Sequence, residues 1–455
     1  MPVRPLSREQ TWLLPPSLDD LVGRDHPARF VAAFVAALAP AAWGELGIAP
    51  EGDRQGAPAY PPRALLSVWL YGFMTGVRSA RKLEAACRDQ LAFLWLTGWQ
   101  RPDHNTLWRF YQTHRQGLRR LLKRTVRTAV GLGLVDLAVQ AVDGTKVAGN
   151  AAKARTHDAA QLRALLERTD TAIADLEAQN TAPTDAPPPR LPRRLAQQQA
   201  LREQVAAALQ QVTAEDGPRR VTLTDADAHL MKSRQGFVAG YNAQAMVSPL
   251  APGAAGRTGL LITAADVVTA PDDQGQLLPM IEQAAALTGQ PATSTLGDGG
   301  YHSGDTVAEC AARGLVVVLA EAEQAKLAHP YHKDHFVHNE VADTYTWLEG
   351  QVLRFVGVKE RTGRPLVRVY RGDVATCRGC PAFGRCTKDR HQGRALEIGP
   401  QEAALRRHRA WMATAEAQAA YRQRKQLPEP TFGLLKEQQG ARRFLLRGLA
   451  AVQAE

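Results

Sequence analysis

LAVQAVDGTKVAG, residues 137–149, marks a change of period along the chain. Before it, apolar residues return at helical spacing, as in Leu65, Leu66, Trp69, Leu70 and Phe73. Here a short apolar run passes straight into Asp143-Gly144, the pattern of a strand followed by a turn. Beyond it, further strand-like text follows in GYNAQAMVS (240–248) and GLLITAADVVTA (259–270). A helical pattern covers GQLLPMIEQAAALTG (275–289), and strand-like text returns in ATSTLGDGGY (292–301). A helix ending near Arg313 and the buried-type run LVVVLA (315–320) complete the series. Strands alternating with helices predict an α/β core.

Upstream, residues 1–60 are irregular apart from a helix around HPARFVAAFVAAL (26–38), and 61–134 predict packed helices. Ser79 is the expected N-cap of residues 80–89, and Asp103 that of HNTLWRFYQTHRQGL (104–118). TGWQRP (97–102) separates these helices, which suits a helix-turn-helix-like module presenting Arg101, His104, Asn105 and Arg109. A plain helical bundle with a solvated basic face fits the same pattern. Downstream of the decisive strand, Leu162, Leu166, Ile173 and Leu176 precede PTDAPPPRLP (183–192), and Leu201, Val205, Leu209 and Val212 follow it. That is a helical hairpin around a linker. Residues 321–400 are mixed, with a β-rich portion and clustered cysteines, and 401–455 are helical and basic.

The chain has 455 residues and a net charge of +11. Residues 63–127 carry 13 Lys and Arg against three acids, and residues 401–455 carry ten against five. Positive charge gathered in two stretches points to a polyanion, with nucleic acid first. The five cysteines, three of them clustered, do not form a secreted disulfide framework. No apolar signal core and no run of about 20 apolar residues is present, so a cytoplasmic protein without a membrane span is expected.

Three carboxylates stand at informative places. Asp143 ends the first core strand, Asp298 ends a later one, and Glu429 opens a C-terminal helix in PEPTFGLLK. Carboxylate oxygens suit Mg2+ or Mn2+, and two such ions serve in-line phosphoryl displacement. Taken singly, each Asp is equally a turn or loop residue. Cys377, Cys380 and Cys386, with His391 five positions later, have part of the spacing of a structural Zn2+ site. Reduced cysteines in a loop-rich segment are the alternative. Cys87 and Cys310 lie in apolar helical patterns and are expected in the core.

The Asp of AVDGTK (141–146), the Asp of GDGGYHSGD (297–305) and the Glu of YRQRKQLPEPTFGLLKEQQGARRFLLRG (421–448), taken in order, resemble the insertion-sequence DDE transposases. LLPPSLDDLVGRDHPARF (13–30), SARKLEAACRDQLAFLWLTG (79–98) and TDADAHLMKSRQGFVAGYNAQAMV (224–247) extend the likeness over nearly the whole chain. The resemblance implies a ribonuclease-H-like mixed sheet with flanking helices over 136–455, interrupted by a helical-hairpin insertion (151–218) and a β-rich, Cys-containing insertion (321–400). It implies an all-α DNA-binding region over 1–135. It implies Mg2+- or Mn2+-dependent cleavage at terminal inverted repeats and strand transfer into target DNA, by a homodimer in the DNA complex. The matching acids are Asp143, Asp298 and Glu429, and Tyr421, Arg424 and Lys436 match the rest of a Tyr-Arg-Glu-Lys signature. Four residues separate Arg424 from Glu429 where the wider pattern has three, so Lys425 is the alternative for that place. Relatives usually continue past the segment ending at Gly448 with another apolar helical stretch, whereas this chain stops at Glu455, so a truncation is expected. A same-fold nuclease without strand transfer, and a decayed or domesticated DNA-binding protein, are the competing functions.

Glu429 is preferred to Glu437 as the third acid. Pro428 and Pro430 suit the first turn of a new helix and place Glu429 at its entrance. At about 100° per residue, Lys436 returns to within roughly 20° of Glu429, while Glu437 lies about 80° away. Phe432 and Leu435 are expected to face the core.

Overall fold

The computed structural model describes residues 17–49, 60–181, 191–215, 217–233, 236–253, 259–321, 329–347, 350–361, 364–389 and 391–455. Most of the linker expected at 183–192 lies outside the described residues. The chain forms two compact units: 1–125 with 146–241 and 432–455, and 126–145 with 242–431. Along the chain the strands are β1 (Val139–Ala148), β2 (Thr156–His157), β3 (Val221–Thr222), β4 (His229–Ser233), β5 (Gly236–Pro249), β6 (Leu260–Val268) and β7 (Ser294–Gly297). They continue with β8 (Val317–Leu319), β9 (Val337–Asn339), β10 (Thr344–Thr346), β11 (Val352–Arg361), β12 (Arg364–Gly372) and β13 (Ala395–Ile398).

The first unit opens with helices Pro27–Ala36, Pro40–Leu46, Pro62–Met74, Ala80–Asp89 and Leu91–Leu96, and with most of His104–Gly131. The first three each carry proline in their first turn, where its missing N–H breaks no bond. Their apolar faces enclose Val31, Leu66, Trp69, Leu83, Phe93 and Leu107. Trp69 Nε1 donates to Leu107 O at 3.0 Å, and its ring stacks on Tyr111. Asp103 caps the long helix as expected, accepting from Thr106 N–H at 2.8 Å. Ser79 occupies the N-cap position of its helix, but its side chain makes no capping bond.

The same unit contains helices Ala159–Thr181 and Leu191–Thr213, which bury Leu162, Val205 and Ala208 between them. The β2–β3 pair closes their base. The hairpin β4–β5 follows, and the C-terminal segment binds the end of β1, with Phe444 N–H donating to Ala148 O at 2.8 Å. Arg78 anchors that segment through the carbonyls of Gly440 and Arg443 and through the Glu455 carboxylate. Among the described residues no single helix is long and apolar enough to cross a membrane.

In the second unit the strands run in the order β6, β5, β1, β7, β8. β5 and β6 are antiparallel, whereas β1, β7 and β8 are parallel neighbours, so the sheet is mixed. Helix Leu277–Thr288 packs with β6, and Met246, Ala264, Leu277, Met280, Ile281 and Leu319 share its core. The turn expected at Asp143-Gly144 is absent: β1 runs through both residues to Ala148. The glycine serves the space beside the strand rather than a reversal of it.

Residues 337–398 of this unit form an antiparallel meander, β9 to β13, around Phe336, Tyr345, Leu353, Tyr370 and Leu396. Helix Glu402–Met412 meets the loop before it through Arg409, which pairs with Asp334, Glu402 and Glu321. The unit is thus α/β with a mixed sheet and flanking helices.

A candidate carboxylate centre beside the parallel strands

β1 and β7 pair as Val139 with Ser294, Gln140 with Thr295 and Ala141 with Leu296. Two residues further along each strand direction come Asp143 and Asp298. Alternation puts Asp143 on the face of Ala141, Asp298 follows directly on β7, and the two acids thus stand at the same end of adjoining strands, close enough for the Asp298 charge to act on Asp143. Gln140 Nε2 donates to Thr295 Oγ1 at 2.9 Å inside the sheet and fixes this register. Within this sheet β5 lies on the other side of β1 from β7, so the pair sits where the strand order reverses, the usual place for a site in an open α/β sheet.

A third carboxylate lies here that the sequence reading overlooked. Asp273, in the turn between β6 and helix Leu277–Thr288, accepts at Oδ1 from Asn242 Nδ2 and from Gln244 Nε2, both at 2.7 Å. Asn242 and Gln244 are alternate residues of β5, buried, and therefore face the same side. The wholly buried Tyr301 donates its hydroxyl to Gln244 Oε1, closing a chain from Tyr301 through Gln244 to Asp273.

Each of the expected acids also binds its own loop: Asp143 Oδ1 accepts from Gly144 N–H and Asp298 Oδ1 from Gly300 N–H, both at 2.8 Å. Burial pushes the Asp143 carboxyl up to about 6, opposed by the Gly144 N–H. The charges of Asp298 and Asp273 push the same way as burial, while Arg424 draws it down. Burial also raises the Tyr301 hydroxyl, and Asp273, Asp143 and Asp298 add to the effect. Asp143 and Tyr301 therefore both lie within reach of the Asp273 and Asp298 charges.

Two glycines leave the space between them. A Cβ on Gly144 would press against Asp273 Oδ1 and Gln244 Nε2 and stand 3.1 Å from Asn242 Oδ1. One on Gly300 would stand 2.9 Å from Asp298 Oδ1 and 3.3 Å from Asp273 Oδ2. Asn242 Oδ1 is buried and has no hydrogen-bond partner among the described residues. An unpartnered amide oxygen beside carboxylates and a cradle with no side chain are what a hard cation with oxygen ligands requires. The residues fit a divalent ion, although among the described residues no three His, Cys, Asp or Glu side chains are already drawn around one point.

The remaining expected residues are placed as follows. Glu429 is exposed, in the first turn of helix Pro428–Glu437. It is not among the charges that act most strongly on Asp143. Phe432 of that helix is buried and Leu435 half-buried, as expected. Lys436 is half-buried in its last turn, and Glu437 pairs with Arg442. Of the two candidates for the signature cation, Arg424 is half-buried, lies 5.3 Å over the Tyr421 ring and acts on Asp143, whereas Lys425 is exposed. Arg101, Asn105 and Arg109 are exposed at the start of the long helix, while His104 is held by Glu84 at 2.7 Å. Cys377, Cys380 and Cys386 line one small cavity with Phe336, Trp347 and Phe383. His391 is exposed, and among the described residues no three His, Cys, Asp or Glu side chains are gathered as metal ligands here. Cys87 and Cys310 are buried in the core, as expected.

The signal for Asp273 was present but indirect. Asn242 and Gln244 are the two amides of the strand text YNAQAMV, polar residues at spacing two in an otherwise apolar strand. Such a pair needs a polar partner on one face.

Comparison with known families adds to this geometry. Residues 16–113 match a family model described as a transposase domain (DUF772), and residues 348–455 match one described as a transposase DDE domain. No curated protein and no solved structure matches the chain. The first match spans helices of the first unit, and the second includes Arg424, Glu429 and Lys436. Two separate stretches of the chain are thus similar to transposase domains, one in its N-terminal helices and one, of the DDE type, at its C-terminal end, and together they support an insertion-sequence DDE transposase.

Proposed function

We propose that this protein binds the terminal inverted repeats of an insertion sequence, cleaves DNA there, and joins the freed end to target DNA as a homodimer. The observation that carries the proposal is the pair Asp143 and Asp298, facing a cradle with an unpartnered buried amide oxygen. The strand order β6, β5, β1, β7, β8, with one antiparallel and one parallel half, supports a ribonuclease-H-like reading of the sheet. Asp143, Asp298 and Glu429 would hold Mg2+ or Mn2+. Two such ions supply an activated nucleophile and stabilise the leaving oxygen. The protein's own part is to hold the carboxylates at fixed spacing and to neutralise phosphate with Arg424 and Lys436. Exposed Arg101, Asn105 and Arg109 would contact the repeats.

The test is cleavage of labelled element ends with Mg2+ by the Glu429→Gln and Glu437→Gln proteins. Glu429→Gln keeps shape and removes charge, so it should abolish nicking while retaining end binding; Glu437→Gln should cut nearly normally. A Glu429→Gln protein that cuts at the normal rate would overturn the assignment. Products cut but never joined would favour a nuclease.

A further inference from the structure

We infer that Asp273 is a metal-ligating carboxylate of the same centre as Asp143 and Asp298. This rests on the divalent-metal reading proposed above. Two observations converge on it.

The first is direction. The two amides of β5 take Asp273 Oδ1, while Oδ2 lies 3.3 Å from the point where a Gly300 Cβ would stand, a point itself 2.9 Å from Asp298 Oδ1. Two carboxylate oxygens thus border one space that no side chain fills.

The second is the buried Asn242 Oδ1. Its amide nitrogen is committed to Asp272 O, at 3.1 Å, and to Asp273 Oδ1, so the group cannot flip without setting oxygen against oxygen. The oxygen is left facing the Gly144 side with no donor. A buried acceptor without a partner is costly, and a cation at this place would satisfy it.

The experiment measures Mn2+ binding to the full-length protein by calorimetry, with thermal melting in EDTA and in Mn2+. The wild type, Asp143→Asn, Asp273→Asn and Gly300→Ala proteins are compared. Asp273→Asn retains an acceptor for Asn242 and Gln244, so it should fold and melt in EDTA at or above the wild-type temperature. Its Mn2+ affinity should fall by about tenfold or more, and its stabilisation by Mn2+ should shrink. Gly300→Ala keeps every carboxylate but narrows the gap between Asp273 and Asp298, and should weaken Mn2+ likewise. If Asp143→Asn loses affinity but Asp273→Asn binds within about twofold of the wild type, Asp273 is structural and the inference fails while the metal centre stands. If wild type and Asp143→Asn bind alike, the metal reading fails and Asp273 falls with it.

Discussion

Asp143, on β1, and Asp298, directly after the end of β7, each stand two residues past the last paired couple of these parallel strands, Ala141 and Leu296. Backbone hydrogen bonds of the sheet hold Asp143, while Asp298 follows directly on the last residue of β7 and is held by the Gly300 N–H. Electrostatic repulsion between them is therefore built into the fold.

Burial of Asp143, with that repulsion added to it, has a measurable consequence for stability. The folded Asp143 value, about 6, lies above the ordinary 3.8, so folding favours its protonated form. Its contribution is fully present below about 3.8 and is lost as pH rises through about 6. Without divalent metal the melting temperature should fall across this window, and Asp143→Asn should raise it at pH 7, a gain of about 1–3 kcal/mol. Scanning calorimetry in EDTA from pH 4 to 8 measures both. An Asp143→Asn protein melting below the wild type at pH 7 would contradict the account.

Arg424 and Lys425 should separate in the same experiment. The Arg424 charge holds the Asp143 carboxyl down, so Arg424→Ala should move the stability inflection to higher pH. Lys425→Ala should leave it in place, because Lys425 is exposed. Equal shifts in both variants would remove Arg424 from this role.

Tyr301→Phe removes the donor to Gln244 Oε1 in a wholly buried setting. The orphaned acceptor should destabilise the protein by about 1–3 kcal/mol. Urea unfolding reads this directly, and a change below about 0.5 kcal/mol would mean that the Tyr301–Gln244–Asp273 chain does not act as a unit.

Exposed Arg101 and Arg109 predict salt-dependent DNA binding. The double alanine variant of the full-length protein should bind element ends more weakly and lower the slope of log affinity against log salt by about 2. His104→Ala should act differently: its partner Glu84 stands within the helical unit, so the expected loss is in thermal stability. An unchanged slope in the double variant would place DNA contact elsewhere.

Much of the architecture was legible because periodicity reports burial. The long helices, the alternation of strand and helix from 240 to 320 and the hairpin over 159–213 follow from where apolar residues recur. Asp143 and Asp298 were legible because each follows an apolar strand and precedes glycine. Asp273 was not, because PDDQGQ reads as ordinary helix-entry text and its amide partners lie on a strand about 30 residues earlier. The Asp143-Gly144 turn was misread for a related reason. Glycine after aspartate marks a reversal only when the backbone needs one, and here the pressure comes from neighbouring side chains, which local sequence does not display.

Gly144 and Gly300 lie outside the left-handed region of the backbone, so an alanine would fit both chain conformations without strain. Their demand is for emptiness. On the metal reading proposed above, the protein would be silenced by addition as well as by removal: one methyl group, with every acid, amide and hydroxyl retained, would enter the volume that the ion needs.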